Sequence, residues 1–316
     1  MATINAPVRS LAAQASLDPA ARNGVFHLTM AALTAALLAS ATAALTSFGY
    51  RMPASLSDLY TFCGALGIAC AYCAWARLWR LLQSCLLVLW SCVLSLLLKF
   101  PMYLVARSHI PLKDHALAQI DQSFGFNVST LVQGMALHPW IRAFFALSYQ
   151  ALFPLMVLAV LLPAVRYRFR AVKELIIATA CATLMGAVLF RWVPAIGPWV
   201  VYGYTPGSSQ LRCQDLLLTL RAGSVHVLDL NESGIVCFPS FHTVLAIVSC
   251  VSLWSIKPLR IPAAAVAALI VISTLTTGWH YLVDVLGGLL LAILSVACAR
   301  SFTAFEQRIQ QRSSAN

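Results

Sequence analysis

Eight runs of about twenty apolar residues constrain this chain more than any other feature, because that length of helix is what crosses a hydrocarbon core. They lie near 25–47, 56–76, 81–105, 141–163, 172–193, 240–257, 261–278 and 280–299. Within lipid every backbone polar group must find its partner inside the segment, so runs of this kind fold as helices. The chain has 316 residues, 60% of them hydrophobic and 10% charged, whereas a soluble domain carries about 25% charged residues. So little charge cannot cover a water-facing surface. The expected fold is an all-α polytopic membrane protein with about eight transmembrane helices. Polar tails cover 1–24 and 301–316, two N-terminal spans occupy 25–80, and a six-span segment fills 81–300. The first run, although followed by small residues at Ala41 to Ala44, is long for the apolar stretch of a cleaved leader and is taken as a span.

Charge placement fixes an orientation and excludes a nucleic-acid partner. The net charge of +11 comes from short clusters between the spans, the pattern of cytoplasmic loops. Arg77/Arg80, Arg166/Arg168/Arg170/Lys173, Lys257/Arg260 and Arg300/Arg308/Arg312 fall on one side with the N-terminal tail. The loops near 48–55, 106–140 and 194–239 fall on the other, extracytoplasmic or luminal, side. In the 106–140 loop, Leu117, Ile120, Phe124 and Phe126 predict a short interfacial amphipathic helix. A second helical piece is expected from Val128 to His138, ended by Pro139. The ten cysteines are scattered and lie mostly within spans, where a thiol behaves as a small hydrophobe. Cys213 and Cys237 share a polar loop and are the one pair placed to form a disulfide.

Two histidines enter the membrane from that second side. Pro239 and Ser240 read as a helix start with Ser240 as N-cap and His242 in the first turn. Such a start offers N–H groups and a dipole to an anion, and a histidine there can protonate a leaving oxygen. An interfacial histidine satisfied by water is the alternative. His280 and Asp284, four apart at the mouth of the last span, share a helix face. The carboxylate can hold the imidazole Nδ1 proton and leave Nε2 as nucleophile or base; the alternative is a structural pair joining two helices. Arg191, ending the fifth span beside Pro194, Gly197 and Pro198, can pair with a phosphate or snorkel among interfacial tryptophans.

Together these stretches resemble the type 2 phosphatidic acid phosphatase superfamily, and within it the inositolphosphotransferase (inositol phosphorylceramide synthase-like) branch. The family's P-S-G-H block corresponds to Pro239-Ser240-Phe241-His242, with a bulky residue in place of glycine. Its second block corresponds to His280-Tyr281-x-x-Asp284, followed by Gly287 and Gly288. Pro194-x-x-Gly197-Pro198-Trp199 is similar to the branch's P-x-x-P-P-W element, and Asp114, Asp121 and Tyr149 lie in stretches with the same character. Ser273-Thr274 stands where the superfamily has S-R, so the family arginine is absent. The resemblance implies a phosphatase-like core over 81–300 with His242, His280 and Asp284 catalytic. Arg191, Ser240, Pro198 and Tyr281 would bind phosphate or substrate, with Arg212 or Arg221 as other sources of positive charge. It implies no metal and no cofactor. The substrate would be a phosphorylated lipid, processed through a phosphohistidine, with a polyol as acceptor for transfer or water for hydrolysis. A transporter or scaffold keeping the same fold is the reading of another class. A pore is disfavoured because the ionisable residues near the membrane gather toward one face.

Overall fold

The computed structural model describes residues 24–48, 57–224 and 235–313, and no strand occurs among them. The polar tail before residue 24, most of the 48–55 loop and the last three residues lie outside the described residues. Each predicted run is recovered as helix. In chain order these are α1 (Gly24–Phe48), α2 (Ser57–Trp75), α3 (Trp79–Leu97), α4 (Lys99–Ala106), α5 (Asp114–Ser123), α6 (Val128–Ala136) and α7 (Pro139–Gln150). There follow α8 (Leu152–Val165), α9 (Phe169–Trp192), α10 (Trp199–Tyr202), α11 (Ser208–Ala222), α12 (Phe241–Leu253), α13 (Arg260–Thr276) and α14 (Leu282–Ser313). The chain is therefore an all-α polytopic membrane protein.

Two of the spans are broken into two helices for a local reason. Trp79–Ala106 is interrupted at Leu98 and Pro139–Val165 at Ala151. Each break precedes a proline by three residues, Pro101 and Pro154. Proline has no N–H to give to the carbonyl four residues back, and its ring crowds that turn.

Among the described residues, six of the eight runs are long and apolar enough to cross a membrane; Thr61–Trp75 of α2 and Phe241–Leu253 of α12 are shorter apolar stretches. The predicted 240–257 span is thus corrected to a thirteen-residue helix of about 20 Å, against about 30 Å of hydrocarbon. Its position explains why it can be short. α12 packs against α8, α9, α13 and α14, so neighbouring helices rather than lipid thickness set its ends. The Ser252 hydroxyl, facing inward from it, donates to the Ala159 carbonyl of α8 at 2.7 Å.

The core lies where α9 and α12 meet α14. α9 buries Val172, Ile176, Ala180, Thr183, Ala187 and Phe190, a stripe at three- and four-residue spacing. Small residues let the backbones approach. A methyl group on Gly186 would lie 2.6 Å from the Phe241 ring, and one on Gly288 would lie 2.5 Å from the Ser240 carbonyl oxygen. These two glycines admit the start of α12 between α9 and α14. At the far end of α14, Glu306 forms a buried ion pair with Lys173 of α9 at 2.6 Å and accepts the Phe26 N–H of α1 at 3.2 Å. That knot ties the first span to the core.

The 106–140 segment forms two helices, α5 and α6. Leu117 is buried, but Ile120 and Phe124 are exposed, so the apolar face predicted for α5 is only partly used. Pro139 does not end a helix: His138 is an N-cap and Pro139 opens α7. That first position needs no N–H donor, which is why proline suits it.

Candidate active site

The site is built where α12 and α14 begin side by side. Ser240 is the N-cap of α12, as its position before an apolar run predicts. Its Oγ accepts the Thr243 N–H at 3.4 Å and the Thr243 hydroxyl at 3.1 Å. The Ser240 N–H crosses to the Asp284 carbonyl at 2.9 Å. The cap therefore also joins the two helices. It leaves Ser240 fully buried, with its hydroxyl oxygen engaged by Thr243.

α14 begins two residues later than the sequence spacing suggests. Helix starts at Leu282, so His280 sits in the connection before it and Asp284 in its first turn. The first N–H groups of a helix have no partner within it, and two carboxylates satisfy them here. Asp121 of α5 accepts the Leu282 N–H at 2.7 Å and the Val283 N–H at 2.9 Å. Asp284 Oδ2 accepts the Tyr281 N–H at 2.8 Å. The same oxygen lies 3.4 Å from His280 Nδ1 and accepts the Cys237 S–H at 3.1 Å. Asp284 thus meets the imidazole from the first turn of α14 while His280 lies just before the helix, rather than across one helix face as the i,i+4 spacing suggests.

A third carboxylate holds the opposite wall. Asp114 accepts the Ile196 N–H and the Gly197 N–H, the latter at 2.8 Å. Tyr281 Oη lies 3.3 Å from Asp114 Oδ1 and 3.2 Å from the Gly197 carbonyl oxygen. Burial pushes the Asp114 and Asp121 carboxyls above the ordinary carboxylate range, and the N–H groups they accept oppose that rise. Neither residue is assigned a role by the sequence, which offers only an amphipathic interfacial helix and a stretch of familial character. Their contacts lie about 80 and 160 residues away in the chain, and no local pattern encodes that.

The two histidines face one another. Their ring centroids are 6.3 Å apart with planes tilted by 54°. His242 is stacked on Tyr149 of α7 at 4.1 Å, and its Nδ1 lies 3.3 Å from Tyr149 Oη. Tyr149 also stacks on Trp279 at 5.6 Å, with planes 9° apart. The aromatic wall of Tyr149 and Trp279 is missing from the sequence-derived site, because an aromatic in a membrane helix reads equally as lipid-facing. Thr274, which stands where the resemblance expects an arginine, is fully buried, and its backbone carbonyl accepts the Trp279 N–H at 3.0 Å and the His280 N–H at 3.3 Å.

The remaining expected ligands do not gather at the histidines. Arg191 is exposed with its guanidinium 5.8 Å over its own neighbour Trp192. Arg212 donates to Ser209 Oγ and Arg221 to the Ile110 carbonyl. Pro198 is buried as the residue that caps α10, and Tyr281 is wholly enclosed. Both are scaffold. No disulfide joins Cys213 and Cys237, contrary to the expectation: the Cys237 sulfur is turned to Asp284 instead. Burial, reinforced by the Asp284 charge, pushes its pKa well above the ordinary thiol value. With His280 and Asp284 it forms a set of ligand atoms within 4.8 Å of one another, an arrangement the sequence, with no carboxylate cluster, does not suggest.

The α14 cap yields a stability prediction. Asp121→Ala strands two N–H groups, and losing a cap costs about 0.5–2 kcal/mol. Thermal unfolding of the purified protein in detergent should show a lower midpoint for Asp121→Ala. Asp121→Asn, which keeps an acceptor oxygen, should fall between it and the parent. Equal midpoints for the alanine variant and the parent would remove Asp121 from the site's support.

No curated protein and no solved structure matches the chain. The family model described as PAP2 superfamily matches residues 115–298, from the start of α5 to the middle of α14. That stretch takes in both histidines, the carboxylates at 121 and 284 and the aromatic wall. On a match covering more than half its length, the chain belongs to the PAP2 superfamily.

Proposed function

We propose that the protein is a lipid phosphotransferase or phosphatase that works through a phosphohistidine at His280. Membership of the superfamily points to a lipid phosphate as substrate. The observation that carries the mechanism is the facing of the His242 and His280 rings at 6.3 Å, with Asp284 behind one and Tyr149 behind the other.

In the first half-reaction, His280 keeps its Nδ1 proton on Asp284 and attacks phosphorus with the Nε2 lone pair. The N–P bond forms as the P–O bond to the leaving group breaks. Protonated His242 gives its Nε2 proton to the departing oxygen and keeps Nδ1–H on Tyr149 Oη. In the second half-reaction, water or an alcohol gives its proton to His242 Nε2 while its oxygen attacks phosphorus and the N–P bond breaks. Each histidine returns to its starting state. Phosphoryl transfer asks chiefly for positioning and charge stabilisation. In this reading the N-terminus of α12 and the imidazolium supply both, in place of the arginines that stand elsewhere.

The catalytic unit spans 81–300, with the 25–80 helices accessory to it, and both histidines open on the extracytoplasmic or luminal side. The branch resemblance of His280-Tyr281-x-x-Asp284 with Gly287 and Gly288 favours an alcohol acceptor, so the activity assigned is phospho-headgroup transfer. Product analysis with a labelled lipid phosphate, with and without a polyol such as inositol, tests this. A labelled phosphopolyol or phosphorylated acceptor lipid is expected. Release of inorganic phosphate at a rate and yield indifferent to every acceptor would make the protein a simple phosphatase.

A further inference from the structure

The reaction above leaves Cys237 without a task. Its thiol is fully enclosed and lies between Asp284 and His280, with Sγ 3.1 Å from Asp284 Oδ2 and 4.0 Å from His280 Nδ1. His280 Nδ1 and Asp284 Oδ2 close the triangle at 3.4 Å. The other carboxylate oxygen, Asp284 Oδ1, is buried with no hydrogen-bond partner. A sulfur, an imidazole nitrogen and a carboxylate oxygen thus converge beside an orphaned buried oxygen.

We propose that Cys237, His280 and Asp284 bind a thiophilic divalent cation of the zinc class, and that its binding switches the nucleophile off. Zinc takes thiolate, imidazole and carboxylate in tetrahedral geometry, with three protein ligands where a fourth position stays open. Its bond lengths place the ligand atoms about 3.4 Å apart for nitrogen and oxygen and about 3.6 Å apart for either pair with sulfur. The observed 3.4, 3.1 and 4.0 Å meet that triangle with shifts of about half an ångström or less. The unpartnered Asp284 Oδ1 offers a second oxygen to the ion. A thiolate in the set selects zinc or cadmium over magnesium or calcium, which prefer all-oxygen sites.

The proton balance gives the consequence. The Cys237 S–H ionises and one proton leaves to solvent. The His280 proton moves from Nδ1, now occupied by the metal, to Nε2. The Nε2 lone pair that attacks phosphorus is then gone. The inhibitory half of the proposal rests on the phosphohistidine reading, whereas the binding half does not.

The test uses the full-length protein in detergent after chelator treatment, with cadmium as the probe. Ultraviolet thiolate-to-cadmium absorbance should titrate with one tight equivalent that zinc displaces. In Cys237→Ser the affinity for that equivalent should fall at least ~100-fold, beyond the 10–100-fold loss seen when outer-shell partners are removed. On the unmutated protein, zinc should slow alkylation of Cys237 under partial opening, read by peptide mass, which needs no variant to fold. Zinc should lower lipid-phosphate turnover, a chelator should restore it, and Cys237→Ser should blunt the inhibition. Absence of the tight equivalent, or its persistence in Cys237→Ser with Cys237 unprotected, overturns the site. Tight binding in a protein with no turnover would uphold the site and remove the catalytic reading instead.

Discussion

His280→Gln is expected to lower lipid-phosphate turnover on the order of 10⁴- to 10⁶-fold, the scale on which loss of a covalent nucleophile is felt. Glutamine preserves polarity and approximate length but has no lone pair on nitrogen with which to attack phosphorus. Because the proposed intermediate is bonded to His280 itself, no neighbour can take over. The fold should tolerate the change. Asp284 Oδ2 still accepts the Tyr281 N–H and the Cys237 S–H, so the carboxylate keeps two donors, and α14 keeps the Asp121 cap on its first N–H groups. A steady-state assay of the purified variant beside its melting curve separates the two effects. Turnover within tenfold of the parent would refute His280 as nucleophile.

His242→Gln should cost less, about 10²- to 10⁴-fold, the usual contribution of a positioned acid or base. Its signature is dependence on the leaving group. A lipid alkoxide needs a proton as it departs; a nitrophenolate hardly does. With an aryl phosphate, therefore, the first half-reaction in His242→Gln should recover most of its rate, while His280→Gln stays inactive with either substrate. Tyr149 belongs to the same account, since its hydroxyl lies at His242 Nδ1 and its ring covers the imidazole face. An equal loss on both leaving groups would place His242 in binding rather than proton transfer.

How much of this is legible in the sequence depends on the range of the interaction. The spans are encoded in local composition, and each predicted run appears as helix. The Ser240 cap is equally local: serine after proline and before an apolar run satisfies an N–H three residues on. The His280–Asp284 pairing is legible from spacing, although its mount is different. The sequence reads both as residues of one helix, whereas α14 starts at Leu282 and the pair bridges the cap. What stays hidden is the long-range support. Asp121 finds the α14 N-terminus, Asp114 finds the Gly197 turn, and Tyr149 finds His242 from another helix. Arg191 ends α9 with its guanidinium over Trp192, a placement the sequence does not give, because rotation about a helix axis is weakly encoded when the flanking residues are apolar on every side.

The central claim is a covalent bond between phosphorus and His280, and it can be observed directly. The purified protein, mixed briefly with lipid carrying labelled phosphate, quenched in alkali and digested, should yield one base-stable, acid-labile labelled peptide. That peptide should contain His280, vanish in His280→Gln, and persist longer when the acceptor is withheld. Label on any other residue, or turnover with no labelled protein at any quench time, would contradict the account.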